Sequence, residues 1–225
     1  MGYLYETHMH TSQVSACAVV SAAEQVRAYK NKGYAGIIVT DHFINGNSTC
    51  PQRLPWKEKM KHIASGYVKA KAEGDKCGLD VFFGWEFTIR GSDFLTYGLD
   101  LRFLIENTNL DRMDIEEYSA LVRRSGGYLA QAHPYRVEYY IERQLPVDHR
   151  LLDGIEVYNS SMPCQTNEKA FAFARRYNLP MQSGTDSHGA RNLFPSGVEL
   201  GKKATSIFDI IDAVKANKAR LALPW

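Results

Sequence analysis

Short runs rich in β-branched and aromatic residues alternate with longer amphipathic stretches from one end of this chain to the other, and that alternation limits the folds open to it more than any other feature. The short runs fall at residues 3–7, 36–40, 81–88, 128–132, 154–158 and 180–184, and 94–101 reads as a further strand. Residues 21–32, 56–73, 115–125, 167–177 and 207–217 carry helical periodicity. The first helix opens with a capping box of Ser21 and Glu24 and closes at Gly33; the third closes at Gly126-Gly127. Such alternation predicts an α/β fold, a parallel sheet with crossover helices, either open or closed into a barrel. Apolar runs such as Ile37-Ile38-Val39 fit strands covered on both faces. With no linker, repeat or low-complexity tract, the 225 residues predict one domain over 1–225. Residues 45–55 read as one long loop.

Charge and hydropathy remove several functions. The 27 basic and 25 acidic residues leave a net charge of +2 with no basic stripe, so polymeric nucleic acid is not an expected partner. No apolar run approaches the roughly 18 residues a membrane span needs, and no leader pattern opens the sequence, so a cytoplasmic location is expected. The four cysteines are far apart with no CxxC spacing, as expected of reduced thiols rather than a disulfide framework.

The chemistry lies in the histidines. Five of the seven directly follow one of the strand-like runs: His8 and His10, His42, His133 and His188. Glu86, directly after the apolar stretch 81–85, and Asp186, after the run at 180–184, are placed in the same way. In a parallel sheet or barrel all strand carboxyl ends face one side, so these residues converge on one rim. His8 and His10, two apart on an extended strand, point the same way and can hold one ion. A mixed imidazole and carboxylate set suits zinc, manganese or iron better than calcium or magnesium.

In this order the residues resemble the PHP family, the polymerase and histidinol phosphatase domain. His8-Met9-His10, Asp41-His42, Glu86, His133-Pro134 and Asp186-Ser187-His188 match its ordered motifs, and residues 153–159 look like its strand before the last motif. The resemblance implies a distorted seven-stranded (β/α)7 TIM-like barrel with two or three divalent ions at its carboxyl rim. It implies one ion held by His8, His10, Glu86 and Asp186, a second bridged by Glu86 and bound by His133, and a third on His42 and His188. Two positions depart from the family. Asp93 stands where members often carry a histidine ligand of the second ion, and an Asp can take that role. The family's Thr-x-x-Ser-Asp-Gly reads here from Thr11 to Cys17, with Ala16 offering no ligand. The third ion is then absent, weakly held or completed by Cys17, whose expected role is core packing. His62 and His149 match no motif and are expected to be ordinary histidines.

Ions at such a rim would activate a water and neutralise substrate oxygens during in-line displacement. The resemblance therefore implies a phosphatase or phosphodiesterase acting on a small-molecule phosphoester, with Asp186, Glu86 and His188 as catalytic groups. Arg136 and Arg191, each three residues after a rim histidine, are candidate phosphate-binding residues. Two alternatives stand beside it: a metal-dependent amide or lactone hydrolase, and a PHP-like module that keeps its metals without catalysis.

Overall fold

The computed structural model describes residues 2–142, 144–189 and 195–224. Nine strands among them form one sheet: β1 (Tyr3–Met9), β2 (Gly36–Val39), β3 (Asp80–Ile89), β4 (Ser92–Tyr97), β5 (Tyr128–Gln131), β6 (Gly154–Asn159), β7 (Met181–Gly184), β8 (Gly197–Leu200) and β9 (Arg220–Ala222). Their spatial order is β7-β6-β5-β4-β3-β2-β1-β8-β9. The helices are α1 (Ala22–Asn31), α2 (Trp56–Ile63), α3 (Ser65–Cys77), α4 (Leu101–Glu106), α5 (Ile115–Arg124), α6 (Cys164–Tyr177) and α7 (Ile207–Lys215). No helix among the described residues is long and apolar enough to cross a membrane.

The sheet is mixed and nearly closed, which corrects the expected seven-stranded (β/α)7 barrel. β1, β2, β3, β5, β6 and β7 run parallel, but β4 is antiparallel to both its neighbours. The cause is local. After β3 the chain does not enter a crossover helix; it reverses at Arg90-Gly91, whose φ angles of 51° and 81° suit a primed two-residue hairpin turn. Beyond β1, β8 and β9 add a second antiparallel pair. Closure comes at the carboxyl end of β1, where Asp186 N donates to His8 O (2.8 Å) and His10 N donates to Ser187 O (2.9 Å). Glu6 clamps the same junction: its Oε1 accepts from the backbone of Thr7, His8 and Thr185.

Side-chain chemistry explains the helix ends. In α1 Ser21 Oγ accepts from Glu24 N and Ser21 N donates to Glu24 Oε2 (2.8 Å), the capping box legible in the sequence. The single helix expected over 56–73 is two, parted at Ala64, since α2 packs on α4 while α3 lies along α1 and one straight rod cannot do both. Asp100 caps α4 through Phe103 N. Aromatic residues of β3 and β4 meet α5 around Tyr118, which stacks on Phe87 and takes a hydrogen bond from Trp85 Nε1 (2.8 Å). α7 presses Ile210, Ile211 and Val214 onto Tyr5, Tyr97 and Tyr128.

Gly197, where β8 begins, has φ +122°, and a Cβ there would lie 2.2 Å from Tyr5 O. Gly33 also has positive φ (+83°) but nothing within 4 Å. We expect Gly197→Ala to lower unfolding free energy by ~2 kcal/mol or more and Gly33→Ala by only ~1 kcal/mol, read by urea denaturation. Equal losses would mean that backbone strain alone, not the packing of β8 on β1, sets the cost.

Candidate metal centre

The fold brings the rim residues together by three routes. His8 lies in β1 and His10 just beyond it, and their two-residue spacing puts both rings on one side. Glu86 sits inside β3 rather than at its end, because that strand continues to Ile89; the returning β4 then pairs Asp93 with Thr88 and sets it on the same rim. His133 follows β5 with φ 25° and Asp186 follows β7 with φ 52°, sparsely populated backbone for non-glycine residues that concentrates at functional sites. His42 is bridged to Glu86 through the backbone.

Outer partners set which ring nitrogens face the rim. His8 Nδ1 lies 3.0 Å from Glu156 Oε1, which turns Nε2 to the rim. His10 Nδ1 lies 2.9 Å from Ser15 Oγ, whose own proton goes to Asp41 Oδ1 (2.8 Å), so His10 Nε2 is bare. The two Nε2 atoms face each other at 3.3 Å. Around them, His8 Nε2 is 3.2 Å from Glu86 Oε1 and 3.4 Å from Asp186 Oδ1, and His10 Nε2 is 3.5 Å from Glu86 Oε2 and 3.3 Å from Asp186 Oδ1. A tetrahedral site with ligand bonds of ~2.0–2.1 Å has edges of about 3.3–3.4 Å. His8, His10 and Glu86 thus stand about as far apart as ligands of one ion, and Asp186 lies at similar distances from both imidazoles.

Charge points the same way. Glu6, Asp41, Glu86, Asp93, Glu156 and Asp186 are all buried, and no lysine or arginine is buried with them among the described residues. Each ionised carboxylate out of water costs several kcal/mol unless compensated. Without a cation a proton compensates in part: burial opposes it, but Asp186, Glu156 and Glu86 hold His8 well above its usual range, and an ion at Nε2 would displace that proton. Burial and His42 push His10 down to about 3, leaving it a neutral donor. Burial and the Glu86 charge push Asp93 up to about 6, the behaviour of a carboxyl short of a cation. Glu86 Oε2 and His42 Nδ1 stand 2.7 Å apart as an ion pair, which turns His42 Nε2 outward to Cys17.

A second group adjoins the first. His133 Nε2 lies 3.3 Å from Glu86 Oε1 and 3.9 Å from Asp93 Oδ2, and Glu86, Asp93 and His133 offer donor atoms within 4.8 Å of one another. Thr88 Oγ1 donates to Asp93 Oδ1 (2.6 Å) and orients it. His10, His42 and His188 form a further group. His188 Nδ1 donates to Asp186 O (2.9 Å), leaving Nε2 bare. Cys17 is here and not in the core: it is exposed, its Sγ is 3.3 Å from His42 Nε2, and it lines the rim cavity. Burial pushes its thiol up, but hydrogen bonds to His188 and His42 outweigh this and bring it down to about 6. The core packing expected of Cys17 is thereby corrected: the 11–19 loop, pinned by Ala16 N to Asn47 O and Val19 N to His188 O, turns the thiol toward the rim.

The cavity above these groups holds ≈ 650 Å³ and includes Arg136, Tyr140 and Ser161 in its walls. Arg136 Nε has no hydrogen-bond partner among the described residues, and its guanidinium lies over the Tyr140 ring, 5.9 Å from the centroid. Arg191 lies outside the described residues. His62 pairs with Thr49 and His149 stacks on Tyr177, both away from the rim. Sequence reasoning gave no role to Glu156, Asp41, Ser15 or Asn159. Glu156 also accepts from His133 N (3.0 Å) and Asn159 Nδ2 (2.9 Å), and Asp41 accepts from Thr11 N and Oγ1. A charged residue inside an otherwise apolar strand, as in Ile155-Glu156-Val157, is the signal that could have found them.

No family model and no curated protein sequence matches the chain. Solved structures do. A two-domain protein from Bacteroides vulgatus, described as containing a predicted PHP-like metal-dependent phosphoesterase, superimposes with a TM-score of 0.76 at 16% identity over 99% of this chain and 65% of that one. The lesion-specific endonuclease Q of Pyrococcus furiosus gives 0.68 at 13% identity over 98% of this chain and 58% of that one. An amidohydrolase from Chromobacterium violaceum, solved with bound sulfate and no metal, gives 0.57 at 14% identity over 98% of each. The chain thus spans about two thirds of the Bacteroides protein and somewhat over half of the endonuclease. Its fold is shared with these proteins, and at such identities the chemistry has to be argued from the site.

Proposed function

We propose that this chain is a PHP-type, metal-dependent phosphoesterase that hydrolyses a small-molecule phosphoester. The observation that carries the reading is the pair of rim-facing Nε2 atoms of His8 and His10, 3.3 Å apart and flanked by Glu86 and Asp186 at coordination-edge distances. His8, His10, Glu86 and Asp186 would hold one zinc, manganese or iron ion, and Glu86, Asp93 and His133 a second. Bound ions would supply Lewis-acid polarisation and a water made acidic enough to attack at neutral pH.

The chain's own residues do the rest. Glu156 and Ser15 keep protons on the Nδ1 atoms of His8 and His10, which holds both Nε2 atoms available. Asp186, held ionised against burial by His8, accepts a hydrogen bond from the attacking water and orients it, and His188 stands beside it. Arg136, its Nε unpaired at the cavity wall, binds a phosphoryl oxygen. A cavity of ≈ 650 Å³ matches the ~300–1,000 Å³ of small-molecule sites. The guanidinium at the wall, whose Nε has only Glu138 at 3.9 Å, favours an anionic phosphoester over a neutral amide or lactone.

Four measurements test this. With added manganese or zinc, aryl phosphates and phosphorylated metabolites should be turned over, while amides, lactones and abasic-site duplex DNA should not. His8→Ala and Asp186→Ala should fall to background; unaltered turnover in either would sink the assignment. Arg136→Ala should raise KM about tenfold, the worth of one charge-assisted hydrogen bond of ~1.5 kcal/mol, with the metal content unchanged. Glu156→Gln should weaken metal binding ~10–100-fold in a competitive chelator titration, and tight binding in that variant would remove Glu156 from the ligand-orienting role.

A further inference from the structure

We propose that Cys17 is a metal ligand, and that with His42 Nε2 and His188 Nε2 it forms a two-imidazole, one-thiolate position for a thiophilic divalent ion such as zinc or iron. This rests on the metal-centre reading above and adds to it a position whose ligand chemistry differs from the other two.

Three observations carry it. The first is distance: Cys17 Sγ stands 3.3 Å from His42 Nε2. With zinc bonds of ~2.3 Å to sulfur and ~2.0–2.1 Å to nitrogen, a tetrahedral S···N edge is about 3.5 Å, so the two atoms need hardly move to share an ion. The second is ring orientation. His188 gives its Nδ1 proton to Asp186 O, which leaves Nε2 as the coordinating atom, and His188 stacks on His10 with centroids 4.2 Å apart, so the ring is held flat against the first ligand group. His42 is more than nine-tenths buried, and its Nδ1 pairs with Glu86 Oε2 (2.7 Å), which leaves Nε2 for the ion. It stands between the groups, Nδ1 toward Glu86 and Nε2 toward Cys17. The third is the backbone. Val19 N donates to His188 O (2.8 Å) and Ala16 N donates to Asn47 O (2.9 Å), tying the loop that bears Cys17 to the loop that bears His188.

Three protein ligands leave the fourth tetrahedral position open to water or substrate, the ligand count of a catalytic rather than a structural zinc site. The thiol proton leaves to solvent as the S–metal bond forms. Ala16 supplies no donor, and the sulfur one residue further on takes the place a carboxylate there would have had. Thiolate selects zinc and iron and disfavours manganese and magnesium at this position.

Cobalt(II) reconstitution of the metal-stripped full chain tests the proposal. The native chain should show thiolate-to-cobalt charge-transfer absorption in the near ultraviolet. Cys17→Ser should lose that band and about one cobalt per chain by elemental analysis, and Cys17→Asp should regain the ion without the band. Zinc should slow iodoacetamide labelling of Cys17 but not of Cys164, which is also exposed and serves as an internal control. Cobalt bound in equal amount to the native and Cys17→Ser chains, with no charge-transfer band in either, overturns the Cys17 ligand and leaves the other two metal positions standing. No cobalt bound to the native chain overturns the metal centre itself, and this position with it. Both substitutions are at an exposed side chain, so loss of fold does not confound the reading.

Discussion

Six buried carboxylates with no buried lysine or arginine among the described residues set the terms for the whole structure. Imidazoles can offset part of that charge, yet His8 and His10 each spend one nitrogen on an outer partner and turn the other toward the rim. So many buried carboxylates are unfavourable on their own and become favourable around a divalent cation. The surrounding hydrogen bonds serve this geometry. Glu156 orients His8 and holds the backbone of His133; Asp41, through Ser15, orients His10.

The barrel supplies the rigidity that such a cluster needs. β1 is the pivot, since it pairs with β2 and β8 along its length and with the segment after β7 at its end. The pairing of Asp186 with His8 through the backbone fixes two side chains that the sequence separates by most of its length. Strain at His133 and Asp186 is tolerated because the strands before them are locked in the sheet. The antiparallel β4 departs from a strictly alternating barrel and also contributes to the site, since only a hairpin reversal brings Asp93 to the rim from which β3 arrives.

On a fold shared with proteins described as a phosphoesterase, an endonuclease and an amidohydrolase, the chemistry depends on what surrounds the rim. Two features of this rim bear on it: an arginine at the wall of a small-molecule-sized cavity, and an exposed thiol beside His42. The first bears on which substrates enter and the second on which metals stay.

The sequence by itself determined the alternation of strand and helix, the capping box of the first helix, and the identity of the residues that meet at the rim, because the periods of strand and helix and the placing of residues near strand ends are local properties. It did not determine the strand count. β8 and β9 are four and three residues long, too short for a pattern to register, and the turn at Arg90-Gly91 depends on positive φ at a residue that is not glycine. Nor did it determine the outer partners. Glu156 orients His8 from 148 positions away, and Cys17 meets His42 across 25, so ring tautomers, the bare nitrogens and the exposure of that thiol exist only once the sheet has closed. Residue types set which ligands were available; tertiary structure decided which atoms of them face one another, since a lone pair is aimed by its neighbours in space and not by its neighbours in the chain.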